Sequence, residues 1–346
     1  MRLRLRFVDF FPGFVAEDSF FCRWLREWGY DVELCDEPDY VIFSVFGNEH
    51  LRFGHCVKIF WTGENQVPDF NFCDYAIGFD PIAFGDRYLR FPQFLTYNPA
   101  AYGAMLERTS VTREELAAKT GFCAFVYSND NASPERQQFF GLLSRYRAVS
   151  SGGRYLNNVG GPVADKLDFQ RRHKFVIAFE NSSSPGYTTE KLMEAFASRA
   201  VPIYWGDPEV GKEFNPRAFI NCADYPSFDA VVERVRQLDA DDEAWLAMMH
   251  EPPLHDAALH DAYMERLREF LHHIFAQPKS AAFRYNRQYW GAKLVKHRQQ
   301  EVRAFDRSLY GRALRFYMKH VYQRARHGDG GLLYRCHRWL MKAAGR

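Results

Sequence analysis

The chain has 346 residues, of which 47% are apolar, 25% charged and 17% aromatic. At roughly 150 residues per domain this suggests two domains, and the composition excludes a disordered chain, a collagen-like fibre and a coiled coil. The net charge of +2 hides an asymmetry: residues 283–346 carry 16 Lys and Arg against three acids, whereas residues 1–282 carry 29 basic and 40 acidic groups. An acidic body with a basic C-terminal arm is expected, and such an arm suits a polyanion.

The opening Met-Arg-Leu-Arg-Leu-Arg-Phe-Val alternates charged and apolar residues like a strand and lacks the apolar core of a signal peptide. A strand is predicted at Arg2–Phe10, an amphipathic helix at Phe14–Trp28 closed by Gly29, and strands at Tyr40–Phe46, Val57–Trp61 and Tyr75–Phe79. Short apolar runs of this kind, separated by helices or loops, point to a parallel sheet covered on both faces. Periodicity fades between Phe91 and Thr120, where the domain connection is placed. A second alternation follows, with strands at Phe122–Tyr127, His173–Phe179, Ala200–Trp205 and Ala218–Cys222. Its helices run from Ser133-Pro134-Glu135 to Arg145, with a capping hydroxyl and a first-turn proline, and then over Thr189–Ser198, Phe228–Leu238 and His260–Phe275. The division is therefore residues 1–118, 119–277 and a basic amphipathic tail, 278–346. Two βαβ-type domains imply a ligand cleft between them. The seven scattered cysteines form no CxxC pair and no zinc-type cluster, and nowhere do 18 apolar residues run together. A reduced cytoplasmic protein is expected.

Residues 175–206 carry the most chemistry. They read as strand, loop, helix and strand, with an Asn/Ser/Pro/Gly-rich loop at Asn181–Thr188 whose amides are expected to be free for a ligand. The helix then opens with Thr189-Glu190-Lys191, and a helix N-terminus favours anions such as phosphate. Lys191 stands out, because a cation in the first turn is disfavoured by the helix dipole unless an anion partners it. Asn181 by itself fits a turn cap, Tyr187 a core position and Glu190 an ordinary helix start. The order Asn, Tyr, Glu, Lys on one strand–loop–helix says more than any one of them.

Phe179-Glu180-Asn181-Ser182, Tyr187-x-Thr189-Glu190-Lys191 and Val201-Pro202-Ile203-Tyr204-Trp205-Gly206 together resemble the signature of the alpha-1,3/1,4-fucosyltransferase family. In the N-terminal half, Phe60-Trp61-Thr62-Gly63-Glu64-Asn65, Asp69-Phe70-Asn71, Asp74-Tyr75-Ala76-Ile77-Gly78-Phe79-Asp80 and Asp86-Arg87-Tyr88-Leu89-Arg90 resemble its bacterial branch, and Ser128-Asn129 with Arg136 resembles a further block. The resemblance implies an α/β fold of the GT-B type, two Rossmann-like domains facing a cleft. It also implies inverting transfer of L-fucose from GDP-fucose to the 3-hydroxyl of N-acetylglucosamine or glucose in an N-acetyllactosamine-type glycan, with 4-linkage left open.

By the same resemblance Glu64 is the general base, and Asn181, Tyr187, Glu190 and Lys191 meet the nucleotide sugar. Lys191 and an arginine would neutralise the departing diphosphate without a metal; Asp239-Ala240-Asp241-Asp242, the Asp-x-Asp in this half, lies in a late, helix-flanking stretch. The chain departs from the family at that arginine: gap-free alignment puts Leu156 there, and Arg154, two residues earlier, is assigned the β-phosphate, with Arg136, Arg171, Arg172 and Lys174 as substitutes. Trp61, Phe70 and Tyr75 are either sugar-stacking rings or core.

In the arm, at 100° per residue, Tyr310, Leu314, Tyr317 and Val321 share one side and Arg312, Arg315, Lys319 and Arg326 the other, with Phe316 and Arg324 out of pattern. A basic helix with aromatics suits an anionic leaflet. The resemblance adds that bacterial members work at the inner face of the cytoplasmic membrane, which points to lipopolysaccharide-like acceptors. The competing readings are a nucleic-acid-binding arm, which leaves the rest of the chain unexplained, or a solvated helix. Nucleic acid is accordingly not an expected partner. A transferase of another GDP-sugar and a non-catalytic glycan- or nucleotide-binding module are the alternatives for the whole.

Overall fold

The alternating first segment forms β1 (Arg2–Val8), with Leu3, Leu5 and Val8 buried. This structure, a computed structural model, describes residues 1–96, 98–128 and 130–317, with all side chains except those of 314 and 315. β1 stops at Val8, two residues short of expectation, because Asp9 takes φ +60° and leaves the extended region. Helix α1 (Phe20–Glu27) starts six residues later than the pattern suggests: residues 11–19 turn through Gly13, and Ser19 Oγ caps the helix by accepting from the Cys22 N–H at 3.2 Å.

An unanticipated β2 (Asp31–Leu34) follows, then β3 (Tyr40–Phe43), β4 (Val57–Trp61), β5 (Tyr75–Gly78) and β6 (Tyr88–Arg90). They make a six-stranded parallel sheet in the order β2-β1-β3-β4-β5-β6, in which Phe43 lies beside Phe60 and Trp61 beside Ile77. The C-terminal strand ends therefore line one edge. Trp61 and Tyr75 are core residues, 4% and 0% exposed, while half-buried Phe70 lies under the Arg87 guanidinium. Neither Trp61 nor Tyr75 presents a face for a sugar.

The stretch without visible periodicity contains α2 (Pro99–Leu106), capped by Asn98, and α3 (Arg113–Ala117), opened by a Thr112–Glu115 capping box. In α2, Pro-Ala-Ala-Tyr-Gly-Ala-Met-Leu offers no polar face, so no amphipathic signal exists to be read.

The second sheet is built from β7 (Gly121–Phe125), α4 (Glu135–Tyr146), β8 (Val149–Ser151), α5 (Lys166–Arg171), β9 (His173–Phe179), α6 (Glu190–Ala197), β10 (Val201–Trp205) and a two-residue β11 (Ile220–Asn221). It is again parallel, ordered β11-β10-β9-β7-β8. α4 is not capped by Ser133: Pro134 occupies the cap without a side-chain bond, and the Ser133 N–H instead donates to the Asn181 carbonyl at 2.7 Å. Helices α7 (Phe228–Ala240), α8 (Asp242–His250), α9 (Leu259–Ala276) and α10 (Lys279–Ala282) follow. α9 returns to the first sheet, where Phe275 packs on Tyr40 at 4.8 Å between ring centres and Leu267, Leu271 and Ile274 join the core of Leu3, Ile59 and Trp61.

Both sheets belong to one body, residues 1–47 and 55–284; among the described residues, 48–54 and 285–317 form another. In the latter are a helical turn at Glu49–Arg52, α11 (Tyr289–Arg307) and α12 (Leu309–Tyr317), and the Gln299 amide donates to the Leu51 carbonyl at 2.7 Å. Of the expected arm stripe, Tyr310 is exposed and Tyr317 half-buried. The side chains of Leu314 and Arg315, and all of Lys319, Val321, Arg324 and Arg326, lie outside the described residues. Among the described residues no helix is long and apolar enough to cross a membrane.

Candidate functional site

In the second sheet β7 and β9 are neighbours, and their crossovers leave in opposite directions, through α4 to β8 and through α6 to β10. Open α/β sheets bind ligands at such a point, outside the carboxyl ends of the strands. The loops there are 126–134 and 180–189, and they bring together residues far apart in sequence.

Fully buried Glu180 follows β9 and bonds the start of α6: Oε1 accepts from the Thr189 N–H at 2.8 Å, and Oε2 from Thr189 Oγ1 at 2.7 Å and Lys191 Nζ at 3.0 Å. Lys191 also reaches Thr189 Oγ1 at 2.9 Å and lies 3.5 Å from Glu190 Oε1. The anion that a first-turn cation calls for is thus supplied within the chain. Burial pulls the Lys191 ammonium down, but Glu180 and Glu190 outweigh it and hold it well above the usual lysine range. Burial likewise pushes Glu190 up, and Lys191 with Lys166 overcomes this to keep it below the usual carboxylate value.

The arginine joined to this cluster is Arg136, in the first turn of α4. Its Nη2 donates to Asn181 Oδ1 at 2.6 Å and to the Phe179 carbonyl at 3.3 Å, its guanidinium lies 4.1 Å from the Tyr127 ring centre, and its buried Nε has no partner among the described residues. Arg154 lies exposed on the loop after β8. That loop packs against the same Tyr127: the Tyr155 N–H donates to the Tyr127 carbonyl at 3.0 Å, and a Cβ on Gly153 would lie 1.9 Å from that oxygen. Leu156 takes φ +53°. Of the other substitutes, Lys174 bonds the Asp239 carbonyl and Arg172 pairs with Asp168. Asn129 lies outside the described residues.

Several amides of the 181–188 loop are used internally. The Gly186 N–H donates to Asp207 Oδ1 at 2.8 Å, that of Tyr187 to Ser184 O and that of Thr188 to Gly186 O, while Thr188 Oγ1 reaches Asp207 Oδ2 at 3.0 Å. The loop is shaped in advance rather than left open.

The first half meets this loop directly. Asn65 Nδ2 donates to Ser182 Oγ at 2.6 Å and Ser184 Oγ at 3.1 Å, and Tyr187 Oη reaches the Gly63 carbonyl at 3.5 Å. Between these two contact points stands Glu64, with an exposed side chain and its N–H bonded to Thr62 Oγ1 at 3.1 Å. Tyr187, 2% exposed, also packs on Phe79 at 4.9 Å, and burial pushes its hydroxyl up, with Lys191 opposing and the charges of Glu180 and Glu64 adding to the rise. Gly186 has φ +79°, and a Cβ there would stand 2.4 Å from the Phe79 carbonyl oxygen. Beside the loop, a cavity of about 330 Å³ is lined by Ser183, Trp205, Asp207, Asn221, Tyr225 and Phe228.

Asn181, Tyr187, Glu190 and Lys191 thus share one site, with Glu64 at its edge. Glu180, Asn65 and Asp207 had no role assigned from the amino-acid sequence, although Glu180 and Asn65 stand inside the blocks 179–182 and 60–65 that carry the family resemblance.

The alpha-(1,3)-fucosyltransferase FucT N-terminal domain family matches residues 5–97, and the C-terminal domain of glycosyltransferase family 10 (fucosyltransferase) matches residues 116–250. The chain is 35% identical to the alpha-(1,3)-fucosyltransferase FucT of Helicobacter pylori over 260 residues, 65% of this chain and 54% of that one. It is 35% identical to alpha-(1,3)-fucosyltransferase 4 of Mus musculus over 147 residues, 40% of this chain and 34% of the mouse protein. It therefore spans about half of the first relative and a third of the second. A crystal structure of an alpha1,3-fucosyltransferase matches with a TM-score of 0.72 at 27% identity, covering 83% of this chain and 93% of that one. A structure of alpha1,3-fucosyltransferase with GDP-fucose matches at 0.65 and 28% identity, covering 78% and 90%. The paired sheets are the GT-B arrangement, and the chain belongs to the alpha-1,3-fucosyltransferases of glycosyltransferase family 10.

Proposed function

We propose that the chain transfers L-fucose from GDP-fucose to the 3-hydroxyl of an N-acetylglucosamine or glucose unit in an N-acetyllactosamine-type glycan, inverting the anomeric carbon. Residues 1–118 take the acceptor and residues 119–277 the nucleotide sugar. The observation that carries this reading is the tie from Asn65 to Ser182 and Ser184, which sets Glu64 beside the loop that leads into Lys191.

In the proposed step Glu64 removes the proton of the acceptor hydroxyl as its oxygen attacks C1 of fucose. The bond from C1 to the β-phosphate oxygen breaks, and GDP leaves with the electron pair. Lys191, held protonated by its acidic neighbours, and an arginine, Arg136 or Arg154, offset the charge developing on the diphosphate. Asn181, Tyr187 and Glu190 hold the nucleotide sugar, and no metal takes part. The solved relative with GDP-fucose supports the choice of donor.

The test is incubation with GDP-fucose, N-acetyllactosamine and lacto-N-biose in EDTA, with linkage analysis of the product and GDP-mannose as competitor. Glu64→Gln should lower kcat by about 10²–10⁴ with donor KM unchanged. A wild-type rate in that variant would remove Glu64 from the mechanism, and transfer from GDP-mannose alone would replace the donor. The basic arm is proposed to hold the enzyme at the anionic inner face of a bacterial cytoplasmic membrane, near lipopolysaccharide-type acceptors. Co-sedimentation with vesicles that depends on anionic lipid is the expected result.

A further inference from the structure

Glu180 takes no part in the step just described, yet it lies at the centre of the residues that do. A carboxylate taken fully out of water is costly unless it is paired and its lone pairs are filled, so packing alone is a poor reason for an acid here. All three of its donors belong to the start of α6: the Thr189 N–H, Thr189 Oγ1 and Lys191 Nζ. Thr189 is the cap residue of that helix but makes no side-chain cap bond; its hydroxyl instead stands between Glu180 at 2.7 Å and Lys191 at 2.9 Å. Space for the acid is left by a third segment, since a Cβ on Gly206 would lie 2.5 Å from Glu180 Cγ. The ends of β9 and β10 and the first turn of α6 thus converge on one triad, with Glu180 and Thr189 buried and Lys191 partly so.

A lysine on its four-carbon stem samples many rotamers, and ordering it only when the ligand arrives weakens whatever it does there. We propose that Glu180 is a positioning residue that acts through Lys191, the Glu180–Thr189–Lys191 triad fixing the ammonium in advance where the diphosphate departs. The inference rests on the donor site proposed above.

A double-mutant cycle tests it, with kcat/KM for GDP-fucose and the Kd of GDP measured in wild type, Glu180→Gln, Lys191→Ala and the double variant. Glu180→Gln should lose about 10–100-fold in kcat/KM, and the double variant should be no worse than Lys191→Ala. Thr189→Val removes the bridge but keeps both charges; it should lower kcat/KM in the wild-type background and not in Lys191→Ala, and it decides the matter if Glu180→Gln does not fold. Losses that multiply, or a wild-type Glu180→Gln, overturn the positioning role. An unimpaired Lys191→Ala would instead bring down the donor site itself.

Discussion

Replacing Arg136 tests which guanidinium serves the leaving group. In the folded protein it makes a charge-assisted bond to Asn181 at 2.6 Å, a longer one to the Phe179 carbonyl, and a stacking contact with Tyr127. A hydrogen bond to a charged group is worth about 1.5–3 kcal/mol, and a desolvated cation–π contact about 2 kcal/mol. Arg136→Ala therefore loses packing and orientation of Asn181 as well as charge. If half of the bond energy is expressed in donor binding, KM for GDP-fucose rises by about 3–12-fold, at roughly 1.4 kcal/mol per decade. Arg136→Lys should fall between, since it keeps the charge and loses the planar fork. The assay is initial-rate kinetics with GDP-fucose varied, run beside Arg154→Ala, with urea unfolding to confirm that each variant is folded. A normal donor KM and kcat in Arg136→Ala, with both impaired in Arg154→Ala, would refute the reasoning and return the role to the exposed arginine.

Gly186→Ala should destabilise by about 1–2 kcal/mol from its left-handed backbone alone, and by more because the Phe79 carbonyl must give way. Urea unfolding reads the loss, and an unchanged midpoint would mean that the loop relaxes freely. Glu190 supplies a pH dependence. Its native pKa lies below the unfolded value, so its contribution is complete above roughly pH 4.3 and drains away as pH falls through the lower native value. Glu190→Gln should lose less stability than wild type on acidification across that window. Equal slopes in urea titrations at several acidic pH values would contradict the proposed pairing with Lys191.

Strongly patterned elements are legible in the amino-acid sequence alone. The alternation in β1, the apolar runs of β4, β9 and β10 and the start of α6 fall within a residue or two of expectation, because each carries its own periodicity or cap. α2 is not legible in this way, since an all-apolar helix shows no contrast, and the three-residue β6 and β8 are too short to carry a pattern. The boundaries at Asp9 and Pro134 shift because a positive φ in one case and a tertiary bond from the Ser133 N–H in the other override local preference.

The sequence by itself determined the fold class, the family resemblance and the order Asn181, Tyr187, Glu190, Lys191, since all of these lie in contiguous segments whose side chains announce them. Tertiary structure alone decided that the partner of Lys191 is Glu180, that the arginine on Asn181 is Arg136, and that Asn65 reaches across to Ser182 and Ser184. Burial and pairing between residues 11 to 119 positions apart depend on where the crossovers of two sheets bring the chain, and no local pattern encodes that.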